Sequence, residues 1–110
     1  MAQIGGYLQP DEHARFKAYA NGLGLSESAL ANLLIVREIR RKRLGVLKVK
    51  YLAGKPSESR QRVTAHRSDA VMKAAFLSRS SEEGLKPDQA ASIIYRAEIN
   101  ERWLEQAIAA

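Results

Sequence analysis

The sequence predicts a mostly α-helical fold with a short two-stranded antiparallel ribbon, assembled from two copies of one strand–helix–helix unit that close on each other. Three observations predict it. Residues 22–39, GLGLSESALANLLIVREI, return sixty residues later as residues 82–99, EEGLKPDQAASIIYRAEI. Gly24-Leu25 then meets Gly84-Leu85, Leu33-Leu34 meets Ile93-Ile94, and Glu38-Ile39 meets Glu98-Ile99, while Phe16/Phe76, Ala31/Ala91 and Leu44/Leu104 keep the same offset. The second helix of each copy is apolar on nearly all sides, the mark of a helix buried on several faces. Ahead of each first helix lies a short alternating stretch whose backbone groups need a partner strand. A unit of about 45 residues cannot cover such a helix alone, so each copy is expected to bury the other.

The elements follow in order. In the first unit Ile4, Gly6 and Leu8 face one way, and Gln3, Gly5 and Tyr7 the other. Pro10 suits a helix start, with Asp11 and Glu12 in the first turn. Gly24 is expected to stop that helix with positive φ, and Ser26 to cap the next. That second helix is expected to run to Leu44, with Leu30, Leu33, Leu34 and Leu44 on one side and Ala31, Ile35 and Ile39 nearly opposite. In the second unit RVTAHR alternates, Val63 and Ala65 against Arg62, Thr64 and His66. Here an offset of fifty-nine fits better, setting IGGYLQ (4–9) against VTAHRS (63–68). Ser68-Asp69 provides a cap, Gly84 a stop, Lys86 a poor cap, and Pro87 a good first helical residue. Ala90, Ile93, Ala97 and Leu104 are opposed by Ala91, Tyr95 and Ile99.

The expected organisation is a first repeat over 1–44, a basic linker over 45–61 and a second repeat over 62–110, intertwined as one structural domain. Within the linker, Leu47, Val49 and Tyr51 alternate with Lys48 and Lys50, a pattern for an extra strand or an ordered basic arm, and Gly54, Pro56 and Ser57 mark a flexible stretch.

Of 110 residues, 45% are hydrophobic and none is cysteine, so neither a disulfide framework nor a thiolate metal site is available. The start, MAQIGGYLQPDE, lacks a basic n-region and a long apolar run. No stretch approaches the roughly 20 apolar residues that span a bilayer. A soluble, cytoplasmic protein without a membrane partner is expected. The net charge is +6. Residues 37–62 hold ten of the eighteen Lys and Arg against only Glu38 and Glu58, a local balance of +8. Such a segment attracts a polyanion, and it also suits a solvated helix end.

Strand, helix, a Gly-X-Ser-X-Ser turn and a longer buried helix resemble a ribbon-helix-helix module. GLSES (24–28) carries that signature, with the apolar Leu30 following, and GLKPD (84–88) shares the glycine and the apolar next position. The resemblance covers about 4–44 and 63–104, and the double occurrence is similar to the tandem relaxosome accessory proteins of plasmid transfer. It implies an intramolecular pseudo-dimer that lays its ribbon in the major groove of double-stranded DNA. It also implies self-association on adjacent sites and, in a transfer complex, a relaxase or other protein partner. A transcriptional regulator and a transfer accessory protein share this description.

With Ile4, Leu8, Val63 and Ala65 inward, the base-contacting set is Gln3, Gly5, Tyr7, Arg62, Thr64 and His66. Arg62 suits guanine O6 and N7, and Gln3 suits adenine N6 and N7. Gly5 would let the backbone approach the bases. Phosphates would meet the amino ends of the second helices, nominating Ser26, Glu27, Ser28 and Lys86, with Arg15, Lys17, Lys73 and Arg79 on the first helices as further cations. The densest basic run, RRKR at 40–43, falls where the resemblance implies least DNA contact. An alternative is an antitoxin or protein-interaction module whose basic helix end binds an acidic partner. His13 and His66 stand apart, with no metal-ligand spacing and no phosphate-cradling glycine loop, so no enzyme activity, catalytic residue, cofactor or metal is expected.

Overall fold

A computed structural model describes residues 3–52, 60–66 and 69–109. Its order is β1 (Ile4–Leu8), α1 (Pro10–Gly22), α2 (Glu27–Arg41), α3 (Leu44–Tyr51), β2 (Gln61–Ala65), α4 (Ala70–Glu82), α5 (Pro87–Glu101) and α6 (Trp103–Ala109). The described chain is mostly helical, with one two-stranded antiparallel sheet. Gly54, Pro56 and Ser57 of the linker, and the cap residue Ser68, lie outside the described residues. Among those described, no helix is long and apolar enough to cross a membrane.

The two strands pair as the alternation requires, with Ile4 opposite Ala65, Gly6 opposite Val63 and Leu8 opposite Gln61. Ile4, Gly6, Leu8, Val63 and Ala65 are all buried, so one face of the ribbon closes the core. The outer edges are closed by serine hydroxyls. The Tyr7 N–H donates to Ser92 Oγ of α5 at 2.7 Å, and the His66 N–H donates to Ser28 Oγ of α2 at 3.1 Å. Neither edge is left open for a further strand at these points. Gly6 has a steric reason to be glycine. A Cβ there would lie 2.7 Å from the Ser92 nitrogen and 2.9 Å from Ala91 Cβ, so β1 rides directly on the α5 backbone.

Helix ends follow local chemistry. Gly24 and Gly84 take φ of +75° and +69°, where a Cβ would clash with backbone. The Leu25 N–H reaches back to the Ala20 carbonyl and the Gly24 N–H to the Asn21 carbonyl, a Schellman stop repeated at Leu85/Ser80 and Gly84/Ser81. Ser26 Oγ accepts the Ala29 N–H at 3.1 Å, and Asp69 Oδ1 accepts the Met72 N–H at 2.7 Å. Lys86 has no acceptor to offer a helix end, and there the Gln89 amide oxygen accepts the Lys86 N–H instead.

The structure corrects the long second helix. α2 stops at Arg41, Lys42 turns left-handed with φ 53°, and a new helix begins at Leu44; likewise α5 stops at Glu101, Arg102 has φ 52°, and α6 follows. No glycine or proline marks either break. Buried carboxylates make them. Glu38 accepts the N–H groups of Arg43 and Leu44 at 3.1 and 2.9 Å, and Glu98 accepts that of Leu104 at 2.8 Å. Each carboxylate thus caps the next helix. Arg79 Nε neutralises Glu38 at 3.0 Å; Glu98 accepts from Arg37 at 2.8 Å and from the Tyr19 hydroxyl at 2.6 Å. Burial and the Glu98 hydrogen bond push the Tyr19 phenol well above its ordinary range. Removing one partner of such a set would strand a charge in the core, a loss of about 3–5 kcal/mol.

Of the two readings of the linker, the extra strand is also corrected. Over Leu44–Tyr51 the chain is helical, because Leu44, Leu47 and Tyr51 recur at helical spacing and bury together. Val49, which seemed to share their face, is 84% exposed. α3 lies along α5. The core gathers Phe16, Leu30, Leu34, Ile35, Phe76, Ile93, Ile94 and Tyr95, with Phe16 tilted against Tyr95 at 5.3 Å. Burying each large apolar side chain contributes about 1.5–3 kcal/mol.

Candidate nucleic-acid interface

The outward face of the ribbon holds the six nominated residues as three cross-strand pairs: Gln3 by His66, Gly5 opposite Thr64, and Tyr7 opposite Arg62. The outward Tyr7 N–H makes Tyr7/Arg62 a non-hydrogen-bonded pair, the type in which facing side chains approach most closely. Gln3 Nε2 sits 3.3 Å from His66 Nδ1. Gln3, Arg62 and His66 are exposed, and Gly5, Tyr7 and Thr64 half-buried.

Gly5 differs in detail from its sequence reading. A Cβ there would come within 2.5 Å of Arg62 Nε and 2.8 Å of its Nη2. The glycine makes a shelf on which the Arg62 guanidinium lies. Arg60 was missed. Its guanidinium stacks 4.7 Å from the Tyr7 ring centroid, extending the cationic character of this face by one more alternation step. Its signal was present: residues 60, 62, 64 and 66 share the strand period, though Arg60 precedes the alternating run RVTAHR.

Of the phosphate candidates, Ser26 Oγ is spent on its own cap and Ser28 Oγ on the edge of β2. Glu27 pairs with His13 Nε2 at 2.5 Å. Lys86 is exposed, beside a cleft of about 190 Å3 that Tyr7, Arg60, Asp88, Ser92 and Arg96 also border. The structure therefore brings Lys86 to the same cleft as Arg60 and Arg96, with Asp88 as the one opposing charge in that lining. Among the first-helix cations, Arg79 is ruled out as a surface contact. It is buried and binds Glu38, Glu82 and Glu83. The Arg15 guanidinium donates to the Ile99 carbonyl at 3.3 Å, Lys17 is exposed and Lys73 half-buried.

The basic run divides. Arg43 is half-buried against Glu101 at 3.3 Å, whereas Arg40, Arg41 and Lys42 are exposed and make no salt bridge among the described residues. They sit at the opposite end of α2 from Ser28, about 18 Å along the helix. Among the described residues no group of three or more His, Cys, Asp or Glu is placed to hold a metal. No protein-family model matches the chain, and no curated protein or solved structure matches it.

Proposed function

We propose that this chain is a sequence-specific double-stranded DNA-binding protein of the ribbon-helix-helix type, two repeats folded together as an intramolecular pseudo-dimer. The observation that carries the proposal is the ribbon itself. Its apolar side chains all turn into the core, and its outward face presents Gln3, Tyr7, Arg62, Thr64 and His66, with Arg60 alongside. A major groove about 12 Å wide admits a two-stranded ribbon, whose strands lie about 4.8 Å apart. Three side-chain pairs, each about 6.8 Å from the next, span about four base-pair steps at 3.4 Å.

Arg62 and Gln3 supply the base-edge contacts with the strongest pairing rules, and Thr64, Tyr7 and His66 add hydrogen bonds. Lys86 and Arg60 supply phosphate charge, joined by backbone N–H groups at the start of α2 and α5. The two strands carry different residues on this face, so the preferred site is asymmetric or an imperfect palindrome. The role is that of a transcriptional regulator or a relaxosome accessory protein, without catalysis of its own.

Selection from a random duplex pool, followed by footprinting on the upstream region of the coding sequence and on any nearby transfer origin, tests this reading. Enrichment of one motif is expected, and its absence would remove the proposal. Arg62→Ala should lose about 1–3 kcal/mol at the selected site and relax one base position; equal losses on selected and random duplex would take Arg62 out of the readout. Lys86→Ala should weaken binding to all sequences and lower the salt slope by about one.

A further inference from the structure

At the far end of α2 from the ribbon, Leu33, Val36, Arg37, Arg40, Arg41 and Trp103 line a second cleft, of about 230 Å3. We infer that this cleft is a docking site for an acidic segment of a partner protein, one that places a bulky apolar side chain between carboxylates. The inference goes beyond DNA binding and uses none of the ribbon's residues.

Four features select that occupant. The floor is apolar: Leu33 is 46% exposed although its neighbour Leu34 is buried, and Trp103 is only half-buried. Trp103 is held in place by cations, with the Arg37 guanidinium 4.5 Å and that of Arg41 5.7 Å from its ring. The volume is below the 300 Å3 or more that encloses a whole small molecule, and suits a single side chain. The rim is cationic, and part of it lacks a carboxylate partner: Arg37 is satisfied by Glu98, while Arg40 and Arg41 make no salt bridge among the described residues. An indole and arginines around a small apolar recess make the composition enriched at protein-binding hot spots.

Two other occupants fit less well. Nucleic-acid phosphates have no use for the exposed Leu33 or the half-buried Val36, and a duplex seated on the ribbon lies at the other end of α2. A second copy of this chain carries a net charge of +6 and would bring like charge to like.

Trp103 is the sole tryptophan, so its emission reports on this cleft in the full chain. The probes are a short blocked peptide with one Leu set among Glu residues, the same peptide with Ser for Leu, and a random-sequence duplex. The Leu peptide should shift Trp103 emission saturably, and the Ser peptide should bind roughly tenfold more weakly. Arg40→Glu combined with Arg41→Glu should abolish the shift and leave retention on the selected DNA site unchanged. Leu33→Ser, which keeps every charge, should weaken the Leu peptide alone. The inference is overturned by no saturable shift, by equal binding of the two peptides, by random duplex displacing the Leu peptide, or by concentration-dependent self-association that shifts Trp103 without peptide. Each of these outcomes leaves the selection experiment on the ribbon standing or falling by itself.

Discussion

α2 and α5 begin and end at residues sixty apart and break at the same kind of left-handed residue, yet they meet different surroundings. α5 is buried nearly all round, through Ala90, Ala91, Ile93, Ile94, Tyr95, Ala97, Glu98 and Ile99. α2 buries Leu30, Ala31, Leu34, Ile35 and Glu38, and leaves Leu33 and its C-terminal arginines at the surface. Similar patterns therefore do not guarantee similar burial; what covers a helix decides. α3 lies along α5, while Trp103 at the start of α6 reaches only the end of α2. One helix becomes the centre of the core, and the other keeps an outward face on which arginines are affordable.

The largest effect that sharpens this contrast comes from the matched positions Ile93 and Leu33. Ile93 is 1% exposed, so Ile93→Ala should cost about 2–5 kcal/mol as a buried large-to-small change. Leu33→Ala should cost less than about 1 kcal/mol, because much of that side chain already faces water. Urea unfolding of the two variants measures both. Comparable losses would mean that α2 is covered as fully as α5.

The glycines of β1 give the next effect. Gly6→Ala should cost about 1–3 kcal/mol, since its Cβ would press on the α5 backbone. On the other strand Ala65 already carries a Cβ and is fully buried, so the close approach belongs to the α5 side alone. Gly5→Ala meets only the movable tip of Arg62 and should change stability by less than about 0.5 kcal/mol. Its effect should appear instead in base preference, as Arg62 leaves its shelf. A Gly6→Ala variant as stable as the parent would show that β1 can lift from α5 freely.

The period-two pattern of the ribbon was legible because facing in or out of a strand is a local property, and the sorting of residues 4–8 and 63–65 stands. So do the stops at Gly24 and Gly84 and the cap at Ser26, each made by neighbours in sequence. What escaped was set by partners far along the chain. Lys42 and Arg102 carry no helix-stop signal, and the breaks there rest on Glu38 and Glu98, buried carboxylates held by Arg79, Arg37 and Tyr19. Arg79 looked like a surface cation because its main partner is forty-one residues away. α3 was disguised by the lysines and by Val49, which make a helical turn look like an alternating strand. Arg60 and the shelf at Gly5 needed only the strand period for their placement, but the stacking on Tyr7 and the path of Arg62 needed coordinates.

The smallest effect tests the ion pair that fastens α1 to α5. Glu12 meets Arg96 at 2.5 Å, and Arg96 also donates to the Tyr51 carbonyl of α3, so one guanidinium ties two covering helices to α5. The positions sixty away are Met72 and Val36, which can form no such pair on the α2 side. Burial alone would raise the Glu12 carboxyl, but the hydrogen bonds from Arg96 and the Gln9 N–H outweigh it and hold the group below its ordinary value of 4.5. A carboxyl lowered by folding adds stability at pH above that ordinary value and loses it as pH falls through the lowered one. Acid should therefore loosen the α5 side first. Glu12→Gln should cost at most about 1 kcal/mol at neutral pH, given partial solvent screening, and nearly nothing once the parent's Glu12 carboxyl is protonated. Stability curves of parent and variant should converge below pH 4.5, with amides of α1 and α3 losing protection before those of α2. Parallel curves across that range would mean that Glu12 and Arg96 touch without holding the helices together.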